Sequence, residues 1–315
     1  MLIDGREPTL ARSRPRPDVV ELDGPFDHAY VHARGLRLHV AIAGAPGAPL
    51  VLLLPDAFGG WYDYAQVIAP LAARGFRVAA VDPRGYGLSD KPPYQSGFSA
   101  RSLVSDLAGL IPALGYEKAS VIGADTGGTL AWILATTHPA RVDHLVSISS
   151  AHPVDLRRAV AARPWDFLWM LQRHLLFHLP ATALTRAFGL IEREIRHFGA
   201  LNTSARFHRT EAFQEMQTLR AKAGRIDRVP TAIVHTARVL MAPLSLKHQK
   251  VKVCAPTLIL HAPQSLWARL IDRTRERVAP GTMLTATSLP GAKNLPHIEA
   301  PEAFVEAVAS FLGKA

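Results

Sequence analysis

The stretch "VIGADTGGTLAW", Val121 to Trp132, ends a short apolar run in Gly-x-Asp-x-Gly and passes into a helix-like segment. Gly123, Gly127 and Gly128 around one carboxylate permit a tight bend that pushes the Asp125 side chain clear of the backbone. A carboxylate held in such a bend can attack an electrophilic carbon and form an ester. The plainer reading is that Asp125 is the N-cap of the following helix, a position Asp favours. A second carboxylate, Asp56, follows the apolar run "PLVLLLP" (49–55). Two carboxylates at close range share a proton and raise one pKa, which suits acid–base work. Asp56 could equally face its own turn and cap a backbone N–H. His174 and His178 are spaced i,i+4 but have no third ligand in view, so no metal is expected. No nucleotide-binding loop is present either, and no cofactor is expected.

These residues need a frame, and the hydrophobic periodicity supplies one. Residues 28–43 read as a hairpin turning at Arg34-Gly35. The run 49–55 is continuously apolar, the mark of a strand covered on both faces. A helix over 61–74, a strand over 76–81, a turn over 82–93 and a helix over 99–114 follow. The strand 119–124, its helix 126–137 and the strand 142–149 continue the alternation. It predicts an α/β fold with a mostly parallel, doubly wound sheet of about eight strands. From 153 to 246 the pattern is helical only, with prolines at 164, 180, 230 and 243. Strands at 255–262 and 283–289 and helices at 265–278 and 301–312 then complete the sheet. The helical block predicts a cap over the carboxyl ends of the strands, where such sheets bind ligands. The expected division is a flexible arm over 1–25, a core of 26–152 and 247–315, and a cap over 153–246.

With 48% hydrophobic residues among 315, the chain can build a sizeable core, which excludes wholesale disorder. The single cysteine, Cys254 in "VKVCAPTLIL", excludes a disulfide framework and reads as a buried strand residue. The net charge of +10 comes from scattered arginines without an aromatic platform, which argues against nucleic acid. No leader or membrane span is evident, so a cytoplasmic location is expected. The segment 164–180, "PWDFLWMLQRHLLFHLP", is apolar almost all round. Trp165, Trp169 and Phe177 beside Arg157, Arg158 and Arg163 suit peripheral contact with an anionic membrane; packing on the cleft is the other reading.

The hairpin, "LLLPDAFGGWYDY", "VDPRGYGLSDKP", "VIGADTGGTLAW", "HPARVDHLVSISSAHP" and "LPGAKNLPHIEAPEAF" stand in the order found in α/β-hydrolases. Among these the chain most resembles the epoxide hydrolase and haloalkane dehalogenase branch, whose elbow nucleophile is aspartate. The resemblance covers 28–153 and 253–313, while the cap matches only in length and helicity. It implies that Asp125 is the nucleophile, that the N–H groups of Ala57 and Thr126 form an oxyanion hole, and that a histidine with an orienting acid hydrolyses the ester.

This chain departs from that pattern at several positions. Asn294 stands where the base belongs, and an amide takes no proton at neutral pH. His297, three residues on, is the possible displaced base. Ser265 stands at the acid position after the seventh strand, and Ser149 and Ser150 at the alternative one after the sixth. His152 resembles a structural residue of the turn there. Pro55-Asp56 replaces the usual His-Gly pair. The cap has no tyrosine, and Arg173 and Ala237 fall at the two positions where epoxide hydrolases polarise the ring oxygen. Thr126 stands where dehalogenases hold halide with tryptophan. Phe58, Trp61, Trp169, Arg173 and His152 are expected around the pocket. The expectation is a pseudo-hydrolase with a degenerate triad, binding an apolar small molecule under the cap or a protein partner. The alternatives are an enzyme with altered acid–base chemistry at Asp125, or an active hydrolase using His297.

Overall fold

In the computed structural model, which describes residues 14–92 and 97–313, eight strands form one sheet. They are β1 Asp27–Ala33, β2 Leu36–Ala43, β3 Leu50–Leu54, β4 Arg77–Val81, β5 Ala119–Ala124, β6 Val142–Ile148, β7 Thr257–Leu260 and β8 Leu284–Thr287. Their order is β1-β2-β4-β3-β5-β6-β7-β8, and only the β1–β2 and β2–β4 pairs are antiparallel. The predicted doubly wound α/β sheet is therefore present. Every residue of β3 and β5 is buried, as their unbroken apolar runs require of strands covered on both faces. The hairpin turns at Arg34 and Gly35, both at positive φ (52° and 77°), the conformation that matches strand twist in a two-residue turn.

Strand β3 lies between β4 and β5, so the connections leave it toward opposite sides. Crevices at the carboxyl ends of parallel strands open at such a reversal. The register pairs Leu54 of β3 with Gly123 of β5. It thereby sets the turn Pro55-Asp56 beside the bend at Asp125. The helical block enters between β6 and β7, as the interrupted alternation predicts. Its longer helices are Pro153–Ala162, Leu168–His178, Phe188–Asn202, Glu211–Gly224 and Val229–Ala237. A buried bidentate pair ties the block to the core: Arg277 donates to Asp155 through Nε at 2.9 Å and Nη2 at 2.7 Å.

Two expectations change. Residues 1–13 of the proposed flexible arm lie outside the described residues, but the arm does not extend over Pro17–Val20. There the chain forms a short 3₁₀ turn whose Val20 is fully buried, and the Trp61 indole donates to the Val20 carbonyl at 3.0 Å. Cys254 is exposed rather than buried. Strand β7 begins only at Thr257, and upstream of it Val253, bridged to Val278, is the residue that points inward. Among the described residues, no helix is long and apolar enough to cross a membrane.

Candidate functional site

Asp125 sits at φ 45° and ψ −107°, a backbone region that non-glycine residues avoid. Such strain costs on the order of 1–3 kcal/mol and persists only where the surroundings enforce it. Here the glycines enforce it by letting the backbone close up: a Cβ on Gly127 would lie 2.4 Å from the carbonyl oxygens of Leu54 and Pro55. The Asp125 amide donates to the Ile148 carbonyl at 3.0 Å, pinning the bend to β6. Its side chain does not cap the helix Thr126–Thr137. The carboxylate is thus presented at the tip of the bend, with 13% of the side chain exposed.

The Thr126 hydroxyl donates to Asp125 Oδ2 at 2.9 Å, and the Thr126 amide also faces the carboxylate. On the other side, Arg173 Nη2 stands 3.7 Å from Asp125 Oδ1. Arg173 belongs to the cap helix Leu168–His178 and is held among three aromatic rings. Its guanidinium carbon lies 5.5 Å from the centre of Phe58, 5.4 Å from Trp169 and 5.1 Å from Phe198. Burial pushes the Asp125 carboxyl up from its ordinary range and nearby Asp56 adds to this, while Arg173 and Thr126 oppose it. Ala237, the other cap position, ends the helix Val229–Ala237 and brings no polar side chain.

Asp56 is neutralised rather than paired with Asp125. Its Oδ1 accepts from the Phe58 amide at 2.7 Å, the loop-capping role, and its Oδ2 accepts from Arg220 Nη2 at 2.8 Å. Arg220, fully buried on the cap helix Glu211–Gly224, also holds Asp63 through Nε at 3.1 Å and Nη2 at 2.8 Å. Burial pushes Asp63 up to about 6 against the pull of Arg220, with Asp56 adding to the rise. Ala57 lies on the turn that this network fixes, its carbonyl accepting from the Tyr86 hydroxyl at 2.9 Å.

Asn294 meets a neutral partner. The Ser149 hydroxyl donates to Asn294 Oδ1 at 3.0 Å, and Asn294 Nδ2 donates to Asn202 Oδ1 at 2.9 Å. Ser149 is the residue just past β6, at φ 45°, and Asn202 ends the cap helix Phe188–Asn202. The residues expected at the base position and at the alternative acid position are thus in hydrogen-bond contact, and neither carries charge. Ser150 lies against the bend, its hydroxyl 3.2 Å from that of Thr129. The side chain of Ser265 is outside the described residues; its backbone opens the helix Ser265–Arg277.

His297 is elsewhere. Its ring stacks on Tyr64 with centroids 4.5 Å apart, and neither nitrogen finds a hydrogen-bond partner among the described residues. Burial, with Arg220 nearby, lowers its pKa to about 3, so it stays neutral. His152 is also buried, lowered to about 3, and its Nδ1 accepts from the Val154 amide at 3.3 Å at the start of the first cap helix. Trp61 packs beneath the hairpin against Phe26, His28 and His39, on the sheet's antiparallel side. Phe58 and Trp169 alone of the expected pocket aromatics contact Arg173.

A groove of about 950 Å³ between the arm and the cap, lined by Arg14, Val19, Phe188 and Ile226, does not reach Asp125. Nor does a cleft of about 330 Å³ lined by Asp63, Met216 and His297. Sequence reasoning missed Arg220, Asp63, Asn202 and Phe198, and among the described residues no cluster could hold a metal.

Residues 49–188 match the α/β hydrolase fold family. The AB hydrolase superfamily protein YfhM of Bacillus subtilis is 40% identical over 139 residues, 44% of this chain and 49% of that protein. Epoxide hydrolase 4 of Mus musculus is 38% identical over 155 residues, 49% of this chain and 43% of that protein. The match thus spans less than half the length of these relatives. Among solved structures, a putative alpha/beta hydrolase from Nostoc has TM-score 0.77 at 26% identity, covering 92% of this chain and 99% of the other. Epoxide Hydrolase A from Mycobacterium thermoresistibile has TM-score 0.73 at 23% identity over 92% of this chain and 98% of the other, a likeness of fold. With its bend after β5, its switch point at β3 and its inserted cap, the chain has the α/β-hydrolase fold, and over part of its length it is similar to epoxide hydrolases.

Proposed function

We propose that this chain binds an apolar ligand beneath its cap and does not hydrolyse it. The observation that carries the absence of hydrolysis is Asn294, held by Ser149 and Asn202 at the expected position of the base. The ligand side of the reading is supported by Phe58, Trp169 and Phe198 around Arg173 beside Asp125. Hydrolysis of an ester on Asp125 needs a group that takes a proton from water, and an amide takes none. His297 supports no rescue, because a ring that stays neutral to about 3 and hydrogen-bonds nothing is a packing group. Epoxide-hydrolase-like relatives make epoxides and haloalkanes the natural probes.

Purified protein is incubated with styrene oxide, a 1-bromoalkane and a nitrophenyl ester, and intact mass and product are followed together. The expected result is no product beyond one equivalent per chain. Multiple turnover to the diol or alcohol, abolished by Asp125→Ala, overturns the proposal.

A second reading is favoured by Arg173. Its guanidinium is 3.7 Å from a carboxyl whose pKa burial has raised. Such a pair can move a proton and stabilise a developing oxyanion without water entering the product. The same assay distinguishes it, since isomerisation consumes substrate and gives a product of unchanged mass.

A further inference from the structure

Among the described residues five large hydrophobic side chains are exposed, and four lie within one short cap segment. Trp165 is 60% exposed, Leu168 57%, Leu175 70% and Leu179 49%. Trp165 lies in the 3₁₀ turn Pro164–Phe167, Leu168 opens the helix Leu168–His178, and Leu179 follows its last residue. Their spacings of three, seven and four residues place them on one helical stripe. Met170, Arg173 and Phe177 face inward from the same helix and are buried. The helix is therefore two-faced, with its inner side on Asp125 and its outer side on solvent.

The charge of the segment is predominantly positive. Between residues 156 and 191 the sequence has five arginines and a single acidic residue, Asp166. The carboxylate of Asp166 is already shared, 3.2 Å from Arg163 and 2.6 Å from Arg269. The Arg163 guanidinium lies 5.6 Å from the centre of the Trp165 ring, and Arg158 is exposed on the preceding helix. An amphipathic indole beside arginines that outnumber the acidic groups is the composition of an interfacial anchor on anionic lipid. Four large side chains make a narrow stripe, against the roughly 20–30 residues a side of a standard protein interface, so a second copy is a poorer fit.

We infer that the outer face of the helix Leu168–His178 docks on an anionic lipid surface, with Trp165, Leu168, Leu175 and Leu179 entering the headgroup layer. The cap would then meet the membrane directly opposite the side chains that enclose Asp125. The test is flotation of the full chain with phosphatidylcholine vesicles, with and without phosphatidylglycerol, alongside sedimentation velocity. The expected result is a monomer that floats only with the anionic vesicles. Leu168→Ser with Leu175→Ser, and separately Arg158→Glu with Arg163→Glu, should each weaken partition by about tenfold or more. Circular dichroism checks that these exposed substitutions leave the fold intact. The inference is overturned by no flotation with anionic vesicles, by equal flotation with neutral ones, or by unchanged partition of folded variants. A solution dimer that Leu175→Glu dissolves overturns it too, since a second copy then covers the stripe.

Discussion

His297→Phe tests whether the one histidine near the base position is a buried packing ring. The native pKa of His297 is lowered to about 3, against an ordinary value of 6.5. The folded state therefore prefers the neutral ring, while below pH 6.5 the unfolded chain binds a proton there. Stability from this group is complete above pH 6.5 and is lost as pH falls from 6.5 toward 3. Each pH unit in that window is worth about 1.4 kcal/mol, so about 2 kcal/mol is lost by about pH 5. Phenylalanine keeps the stack on Tyr64, removes the titration and removes two unpartnered ring nitrogens. The variant should match or exceed the parent near neutrality. Its advantage should grow by about 2 kcal/mol between about pH 7 and pH 5 in urea denaturation. The comparison must be a difference. His152 is lowered like His297, whereas Asp63, raised to about 6, contributes stability at low pH that is lost as pH rises through 6. If the advantage is the same at both pH values, His297 titrates near its ordinary value in the folded protein. It is then solvated enough to act as a base, and the argument against hydrolysis loses its second support.

Ser149→Asp combined with Asn294→His puts a carboxylate and an imidazole where the present side chains are 3.0 Å apart. Aspartate tolerates the φ of 45° at residue 149 better than most residues do. The pair should speed loss of an alkyl group from Asp125 by about 10²–10⁴-fold over either single variant, read by intact mass. No gain would mean that these two positions do not form a relay toward Asp125. Arg220→Met leaves Asp56 and Asp63 buried without their counter-charge. It should cost about 3–5 kcal/mol in urea denaturation, much of it recovered by adding Asp56→Asn and Asp63→Asn. A loss under about 1 kcal/mol would show that the two carboxylates do not depend on Arg220 for their counter-charge.

What the sequence made legible was local. The run "LVLLL" specifies a doubly covered strand by itself, and Gly123 and Gly127 specify a close approach that only a backbone without Cβ allows. The glycines that permit the bend at Asp125 lie next to it in sequence, although the strands it packs on do not. Asn294 could be read as unable to act as a base because that depends on its chemistry alone. Its partners could not be read, since Ser149 is 145 residues away and Asn202 is 92. Cys254 and Val20 failed for a related reason. Inward or outward facing at the ragged start of an element depends on where pairing begins, which periodicity leaves open by a residue or two.

The inserted helical block sets the electrostatics of the site. Two carboxylates stand at the carboxyl ends of adjacent strands: Asp56 after β3 and Asp125 after β5. From sequence they could be a close acidic pair sharing a proton, or Asp56 could cap its own turn, and the Phe58 amide on Asp56 Oδ1 is the second of these. Each also faces an arginine from a different cap helix, Arg220 at 2.8 Å and Arg173 at 3.7 Å. The difference between the two pairs is chemical. Arg220 is fully buried and makes charge-assisted hydrogen bonds to two carboxylates, so that network is structural and immobile. Arg173 makes only the longer ion pair and, among the described residues, donates no hydrogen bond to protein, so its donors remain available to a ligand oxygen. Two helices of the inserted block thus supply the counter-charge that fixes one carboxylate and leaves the other addressable.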